Sequence, residues 1–374
     1  MIENNTKKNK QILFVHQGFE LYGSDRMLLL SIKAAQKKYP DQKIVVVLPK
    51  KGLLSNILQN EFKVEVLFEN IGIIRKYDLK RFKFSALLKI ITFFRLIGFI
   101  NSFELVYINS IVILDYILAL RFTKAKAFIH VHELPLNFPA KIFSKLLNFS
   151  RADLIFISTA SKNAFINLKN KKQFILWNGV APLKASERKK KTINKLKLLL
   201  IGRINNWKGQ PLLIKAICLL NEKEKELIEV KIVGDVFMNQ DSLRNKLIKQ
   251  IKDGNLESSI ELLPFTSKPE MLYNWSDAVI VPSLLPEPFG LVAIEAMSLG
   301  KLVIAANHGG LPEIIENNIS GMLFEPGNEK DLALKISEII QNPLLIKGLG
   351  NKGFEVFTNK FTEEIYMNKF MEII

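Results

Sequence analysis

Two glutamates, Glu287 and Glu295, lie on either side of a Pro-Phe-Gly turn in the segment 281–313, VPSLLPEPFGLVAIEAMSLGKLVIAANHGGLPE. If a helix begins at Leu291, Glu287 lies in the preceding loop and Glu295 about one turn inside the helix, so both carboxylates can face the same side. The free backbone N–H groups at 289–292 and the helix dipole favour an anion there. Carboxylates for hydroxyl groups beside N–H groups for phosphate suit a sugar nucleotide. Taken alone, the pair is better explained as two solvated glutamates on a helix.

A second segment supplies the positive charge that such a ligand needs. Residues 200–209 read LIGRINNWKG, in which Gly202 permits a tight turn after a strand, and Arg203 and Lys208 flank a loop that leads into a helix. Two cations beside a helix N-terminus form a site for a diphosphate, although in isolation they are as easily a pair of surface side chains. Gly234 follows another strand, VKIV, at the corresponding position.

The elements that must position these residues alternate regularly along the chain. Short apolar runs predict buried strands at 11–16, 43–48, 64–68, 105–109, 127–131, 154–158, 174–176, 197–201, 230–233, 259–263, 278–281 and 302–305. Helical periodicity between them predicts helices, for example at 26–38, 209–220, 242–252 and 291–299. Alternation of strands and helices predicts parallel sheets built from βαβ units.

Two such series lie on either side of a linker-like stretch. We therefore predict an α/β protein of two Rossmann-like domains whose parallel sheets face a central cleft. The predicted boundaries are 1–182 for the first domain, 183–196 for the linker and 197–374 for the second, whose last helix can pack back on the first domain. In such folds ligands bind at the carboxyl ends of the strands.

The composition excludes several classes of protein. The 374 residues are 48% hydrophobic and 24% charged, which is typical of a packed globular chain and not of a disordered one. A single cysteine, Cys218, excludes a disulfide framework and a CxxC site. The first ten residues are polar and lysine-rich, and no stretch without a charged residue exceeds 11 residues. We therefore expect no secretory signal, no transmembrane helix and a cytoplasmic location.

The net charge of +17 lies in the first half of the chain. Residues 1–184 contain 29 Lys/Arg and 12 Asp/Glu, whereas residues 185–374 are balanced. Within the basic half, segment 75–100 interleaves cations with aromatic residues, namely Arg75, Lys76, Lys80, Arg81, Lys83, Lys89 and Arg95 with Phe82, Phe84, Phe93, Phe94 and Phe99. This pattern predicts binding to an anionic membrane surface, with 137–151 as a weaker second case. The alternative is an ordinary packing helix with a solvated basic face. No nucleic-acid-binding module accompanies the charge, so we expect no nucleic-acid partner.

These segments together resemble a known family. The order GR…KG, IVGD and PSLLPEPFGLVAIEAMSLGKLVIAANHGGLPEII is similar to that of the family 4 retaining glycosyltransferases of the GT-B fold, also described as glycosyl transferases group 1. In the first half, Gly23-Ser24-Asp25-Arg26, His132-Glu133 and Trp177-Asn178-Gly179-Val180 resemble the family's first loop, its histidine–acid step and its NGV segment. The first loop departs from the family pattern, because Tyr22 replaces its first glycine and Asp25 its usual glutamate.

The resemblance implies a role for each matching position. Arg203 and Lys208 bind the diphosphate of the donor and stabilise the charge of the leaving nucleotide. Glu295 holds the ribose hydroxyls, and Glu287 holds the transferred sugar. His132 lies near the hydroxyls of the sugar, with His130 as the competing candidate. The remaining donor-binding positions are Gly23, Gly202, Gly234, Leu263, Pro264, Phe265, Phe289, Gly290 and Leu291.

The family resemblance also implies a reaction. A hexosyl or N-acetylhexosaminyl group moves from a nucleoside diphosphate sugar to a glycan acceptor with retention of configuration. The sequence has no Asp-x-Asp triplet, and Arg203 and Lys208 can replace the charge of a metal, so we expect transfer without a metal or other cofactor. The basic first half favours a lipid-linked acceptor in the synthesis of a surface polysaccharide such as capsule or lipopolysaccharide, at the inner face of the cell membrane. The alternatives are a soluble acceptor, or a sugar-nucleotide epimerase on the same fold.

Overall fold

The computed structural model describes residues 11–69, 86–169, 172–185, 195–236, 241–266 and 268–374. The chain forms two compact units, one comprising residues 1–178 and 363–374 and the other residues 179–362. Each unit is a parallel sheet with helices, so the prediction of an α/β protein with two Rossmann-like domains is confirmed.

The first unit contains a seven-stranded sheet. Its strands are β1 (Gln11–Val15), β2 (Lys43–Leu48), β3 (Glu65–Phe68), β4 (Leu105–Ile108), β5 (Lys126–Val131), β6 (Asp153–Phe156) and β7 (Gln173–Ile175). They lie in the order β3-β2-β1-β4-β5-β6-β7, and every neighbouring pair is parallel. Residues 12–15 of β1 are completely buried, as expected for a parallel strand covered by helices on both faces.

Seven helices belong to the described part of this unit. They are α1 (Gly23–Lys38), α2 (Leu53–Asn60), α3 (Ala86–Ile100), α4 (Leu114–Ala119), α5 (Phe138–Phe149), α6 (Thr159–Asn163) and, from the end of the chain, α15 (Glu363–Ile373). A 3₁₀ turn, Leu120–Phe122, follows α4. The last helix packs on α1, where the Tyr366 hydroxyl and Ser31 Oγ are 2.7 Å apart and the Lys38 ammonium donates to the backbone oxygen of Ile374 at 2.6 Å.

The second unit contains a six-stranded sheet. Its strands are β8 (Leu196–Ile201), β9 (Ile228–Val233), β10 (Ile260–Leu263), β11 (Ala278–Val281), β12 (Leu302–Ala306) and β13 (Met322–Phe324). They lie in the order β10-β9-β8-β11-β12-β13, again all parallel. The sequence predicted the first five of these strands and not β13, which is three residues long.

The helices of the second unit cover this sheet. They are α7 (Gln210–Cys218), α8 (Glu222–Glu226), α9 (Asp241–Asp253), α10 (Glu270–Trp275), α11 (Leu291–Met297), α12 (Leu311–Ile314), α13 (Glu329–Gln341) and α14 (Leu344–Lys360). Apolar side chains of α7, α9 and α13 form one buried cluster with β8, β9 and β12, for example Leu213, Leu247 and Ile336.

Both sheets have a topological switch point, which is the place where the strand order reverses: strands before it are added toward one edge of the sheet and strands after it toward the other edge. In the first unit it lies between β1 and β4, and in the second between β8 and β11. The crevice outside the carboxyl ends of such strands is the usual place for a ligand in open parallel sheets. Residues directly after these four strands are therefore the first to consider as site residues.

None of the helices in the described part of the chain has the length and apolar character to span a bilayer. Of segment 75–100, residues 75–85 lie outside the described residues, and the rest forms α3. Segment 137–151 contains α5, so both segments contain the helices that their patterns predict.

Candidate functional site

The loop after β8 is held in shape by backbone and side-chain hydrogen bonds. Asn205 Oδ1 accepts from the backbone N–H groups of Trp207 at 3.1 Å and Lys208 at 2.9 Å, which turns the chain toward α7. Gly209 has a φ of +78°, and a Cβ at this position would lie 1.8 Å from the carbonyl oxygen of Pro282. The loop therefore packs against the residue that follows β11, directly at the switch point.

This packing brings Lys208 to Glu287. The Lys208 ammonium donates to Glu287 Oε1 at 2.6 Å, and the hydroxyl of Ser283 donates to the same oxygen at 2.5 Å. Glu287 is buried, and its other oxygen, Oε2, has no hydrogen-bond partner among the described residues. Arg203 lies in the same loop as Lys208 and is half-buried, and its carbonyl oxygen accepts from Gln210 Nε2 at 3.0 Å.

Two glycines fix the backbone that carries Glu287. A Cβ at Gly309 would lie 2.3 Å from the carbonyl oxygen of Glu287, and one at Gly310 would lie 2.8 Å from Phe289 Cα. The N–H of Gly310 also donates to the Glu287 carbonyl at 2.8 Å. The loop after β12 thus holds the loop after β11 by direct backbone contact, which only glycine allows at such distances.

His308 also belongs to this cluster. Its Nε2 donates to the carbonyl oxygen of Ser283 at 2.8 Å. Burial lowers the pKa of His308, although the Ser283 carbonyl and the charge of Glu287 oppose the shift. The imidazole therefore ties the loop after β12 to Ser283, which in turn orients Glu287.

Glu295 lies inside α11, which begins at Leu291 after Gly290 with a φ of +128°. Its Oε2 accepts from the hydroxyl of Tyr273 at 2.7 Å, and the Tyr273 ring is completely buried. Phe289 is also buried and its ring centroid lies 5.8 Å from that of Phe361, so the side chain anchors the turn. Only its backbone can act in a site.

The turns after β9 and β10 are joined to each other by two hydrogen bonds. The N–H of Gly234 donates to the carbonyl of Leu263 at 3.1 Å, and the N–H of Phe265 donates to Asp235 Oδ2 at 3.1 Å. A Cβ at Gly234 would lie 2.0 Å from the carbonyl oxygen of Gly202, so the turns after β8 and β9 touch through glycine. Pro264 is exposed, and the Phe265 side chain is 62% exposed.

Two predicted site residues belong to the first unit. Gly23 is the first residue of α1, and His132 follows β5. His132 is half-buried and its Nε2 lies 2.8 Å from Asn109 Oδ1, whereas His130, within β5, is completely buried and bonds to the Tyr107 hydroxyl through Nδ1. Burial lowers the pKa of His130 to about 3 and lowers that of His132 as well.

The structure therefore brings Lys208 and Glu287 into contact and places Gly202, Arg203 and Gly234 in neighbouring turns of the same unit. It adds four residues that the sequence did not single out as parts of the site, namely Asn205, Tyr273, Ser283 and His308. Ser283 and His308 lie within the segment 281–313, but their contacts depend on the register of β11 and β12. Cys218, the single cysteine, is exposed and lies in α7.

Sequence comparisons with known proteins cover the second unit. Residues 184–356, all within the second unit, match the model of a family described as glycosyl transferases group 1. An uncharacterized glycosyltransferase of Methanocaldococcus jannaschii is 37% identical over 171 residues, which are 44% of each chain. The lipopolysaccharide 1,2-N-acetylglucosaminetransferase of Salmonella typhimurium is 34% identical over 134 residues, which are 34% of this chain and 35% of that protein. The chain thus spans less than half the length of these curated relatives.

Solved structures extend the likeness to both units. The crystal structure of HepE from Anabaena, in complex with UDP and glucose, aligns with 97% of this chain and 98% of its own at a TM-score of 0.80 and 24% identity. At this identity the alignment is a statement about the fold. The chain therefore has the GT-B fold, and its residues 184–356 are similar to the family described as glycosyl transferases group 1.

Proposed function

We propose that the protein is a retaining glycosyltransferase that moves a hexosyl or N-acetylhexosaminyl group from a nucleoside diphosphate sugar to a glycan acceptor. The observation that carries the proposal is the Lys208–Glu287 contact at the switch point of a unit that matches the group 1 family. A cation and a carboxylate side by side suit a phosphate next to a hydroxyl-rich sugar. Lys208 keeps two N–H donors for phosphate while it bonds to Glu287.

Each side chain then has a distinct task. Arg203 and Lys208 bind the diphosphate and stabilise the negative charge that develops on the leaving nucleotide. The unoccupied Oε2 of Glu287 accepts from a hydroxyl of the sugar, while Ser283 and Lys208 hold Oε1. Glu295, oriented by Tyr273, accepts from the ribose. The leaving phosphate itself helps to deprotonate the acceptor hydroxyl, so no side chain acts as nucleophile. The two cations take the part of a metal, and transfer proceeds without one.

Donor binding tests this proposal directly. Thermal shifts are measured across UDP-, GDP- and ADP-sugars without added metal and with a chelator, for wild type beside Arg203→Ala and Glu295→Ala. A shift for one nucleotide class that both variants lose supports the donor site and identifies the base. No shift for any nucleotide would contradict it. Incubation with the bound donor alone separates the epimerase alternative, because an epimerase converts the sugar nucleotide without an acceptor.

We propose further that the acceptor is lipid-linked and that the first unit binds the inner face of the membrane during surface-polysaccharide synthesis. Exposed aromatic residues support this: Phe94 of α3 is 67% exposed, Phe122 56% and Phe149 of α5 43%. Ring centroids of Phe122 and Phe149 lie 6.2 Å apart, and the Arg121 guanidinium lies 5.6 Å from the Phe149 centroid. Such aromatic residues insert at the lipid interface while the cations meet anionic headgroups.

Vesicle co-sedimentation tests the membrane proposal. Phosphatidylglycerol-containing vesicles at low salt should bind the wild type, and Phe94→Ser with Phe122→Ser should weaken binding. The control is Phe354→Ser, an aromatic residue of the second unit that is 45% exposed. Absence of binding to anionic vesicles would favour the soluble-acceptor alternative.

A further inference from the structure

Four buried or half-buried polar side chains of the first unit form one chain of hydrogen bonds. His16 directly follows β1 and Asn109 directly follows β4, so both lie at the switch point of this sheet. Asp25 Oδ1 lies 2.6 Å from His16 Nε2, and Asn109 Nδ2 lies 3.0 Å from His16 Nδ1. Asn109 Oδ1 lies 2.8 Å from His132 Nε2. Asp25, His16 and Asn109 are each at most 2% exposed.

Two backbone groups whose hydrogen-bonding role is fixed, the N–H of Tyr22 and the carbonyl of Ser24, determine the direction of each bond in this chain. Asp25 Oδ2 accepts from the backbone N–H of Tyr22 at 2.8 Å, so the carboxylate is an acceptor and His16 Nε2 carries the proton. His16 Nδ1 therefore accepts from the Asn109 amide. The same amide nitrogen also donates to the carbonyl of Ser24 at 3.1 Å, which can only accept. Asn109 must then present its oxygen to His132, and His132 Nε2 must carry a proton.

We propose that Asp25, His16 and Asn109 form a relay that fixes His132 as its Nε2–H tautomer, leaving Nδ1 to accept a hydrogen bond from a hydroxyl group of the sugar. Nδ1 of His132 has no hydrogen-bond partner among the described residues. In the relay, Asp25, His16 and Asn109 are positioning residues. The assignment of the hydroxyl to the sugar rests on the proposed function, whereas the tautomer does not.

The relay predicts a specific response to Asp25→Asn. The N–H of Tyr22 still requires an oxygen, so the new amide must turn its NH₂ group toward His16. His16 then moves its proton to Nδ1, where it faces the amide nitrogen of Asn109. The Ser24 carbonyl opposes reversal of that amide, so two donors meet and the bond between His16 and Asn109 is lost. One exchanged atom at Asp25 thus reverses the tautomer of His16 and separates it from Asn109.

Nuclear magnetic resonance reads this outcome without any substrate. The chain has four histidines, so long-range ¹H–¹⁵N correlations of the ¹⁵N-histidine-labelled full chain can be assigned with a His132→Gln variant. Wild type should show His16 and His132 protonated at Nε2, and Asp25→Asn should show His16 protonated at Nδ1, with His16 assigned by a His16→Gln variant. Tyr366→Phe, which removes a buried hydroxyl of the same unit outside the relay, should leave His132 unchanged.

A second pair of variants keeps the test decisive if Asp25→Asn does not fold. Asn109→Asp retains an oxygen toward His132 and should keep the Nε2–H form, whereas Asn109→Leu should lose the preference. A wild-type His132 protonated at Nδ1, or a His16 that stays in the Nε2–H form in folded Asp25→Asn, would overturn the relay.

Activity supplies the second readout. Loss of one hydrogen bond to the sugar should lower the kcat/KM of Asn109→Leu about tenfold, while the Kd of the free nucleoside diphosphate stays unchanged. If no nucleotide sugar binds the wild type, the proposed function fails, but the tautomer measurement still decides whether the relay exists.

Discussion

Lys208 and Glu287 are 79 residues apart in the sequence, yet Lys208 Nζ and Glu287 Oε1 lie 2.6 Å apart. The side chain of Glu287 is only 11% exposed and that of Lys208 is 28% exposed. An ion pair that is partly exposed in this way can also bind a ligand, because the ammonium keeps free N–H donors and the carboxylate keeps a free oxygen. The pair is therefore poised for a ligand that carries both an anion and a hydroxyl.

Replacement of Lys208 should affect binding far more than folding. We expect Lys208→Ala to weaken nucleoside diphosphate binding by roughly 10–100-fold, since a charge-assisted bond to phosphate contributes about 1.5–3 kcal/mol. The cost in unfolding free energy should be about 1 kcal/mol or less, because the pair is partly solvated. Calorimetric titration and urea unfolding measure the two quantities.

The matched control for this variant is Lys225→Ala. Lys225 also forms an ion pair in the second unit, at 2.8 Å to Glu222, but that pair lies in α8. Its loss should leave the Kd unchanged. Equal losses of affinity in both variants would mean that the effect of Lys208 is only a change in net charge.

Tyr273 should act on the ribose and not on the phosphates. Its hydroxyl donates to Glu295 Oε2 at 2.7 Å in a completely buried position. Tyr273→Phe removes the bond that orients Glu295, so the affinity for a nucleotide with both ribose hydroxyls should fall about five- to tenfold. A deoxynucleotide that lacks the bonded hydroxyl should bind both proteins alike. An equal loss for both nucleotides would contradict the assignment of Glu295 to the ribose.

His130 should make the first unit less stable in acid. Burial lowers its pKa from 6.5 to about 3, so between these values the unfolded chain binds a proton that the native state does not. The unfolding free energy is therefore unaffected by this group above pH 6.5 and decreases as the pH falls below it, by about 1.4 kcal/mol per pH unit.

Urea unfolding at a series of pH values measures this slope. His130→Gln should reduce it by about one proton. Tyr107→Phe loses the hydrogen bond to His130 but keeps the titrating ring, so it should lower the stability at every pH and keep the slope. If His130→Gln retained the wild-type slope, another group would carry the dependence.

The segments 200–209 and 281–313 made much of the site predictable from the sequence. Arg203, Lys208 and Glu287 each follow a strand whose apolar run is visible, and the carboxyl ends of parallel strands lie on one edge of a sheet. The contact between Lys208 and Glu287 could not be predicted, because it depends on the strand order that places β8 beside β11. Ser283 and Tyr273 could not be predicted as site residues either, because an isolated serine or tyrosine forms no recognisable sequence pattern.

The structure gives a physical reason for Asp25, which departs from the family pattern of the first loop. From the sequence it was only a substitute for glutamate in the first loop. In the structure it is the third residue of α1, where one carboxylate oxygen caps the N–H of Tyr22 and the other holds His16. A Cβ at Gly18 would lie 2.0 Å from Asp25 Oδ1, so the backbone there leaves little room for a longer side chain.

Gly209 and Gly327 have nearly the same positive φ, +78° and +77°. Substitutions at the two positions therefore separate the cost of backbone strain from the cost of steric contact. Nothing lies within 4 Å of a Cβ at Gly327, whereas one at Gly209 would lie 1.8 Å from the Pro282 carbonyl oxygen. Gly327→Ala should therefore cost only the left-handed penalty, about 1–2 kcal/mol. Gly209→Ala should cost several kcal/mol, since the backbone after β11 must move.

The displacement of Gly209 from Pro282 in Gly209→Ala should also move the residues of the candidate site. Gly209 joins the loop of Arg203 and Lys208 to α7, so its movement from Pro282 separates Lys208 from Ser283 and Glu287. Donor affinity should fall at least tenfold in Gly209→Ala and remain at the wild-type value in Gly327→Ala. Urea unfolding and calorimetric titration of the two variants give both comparisons. Equal unfolding free energies would mean that the close approach at Pro282 relaxes without cost, and the switch point would then not depend on glycine.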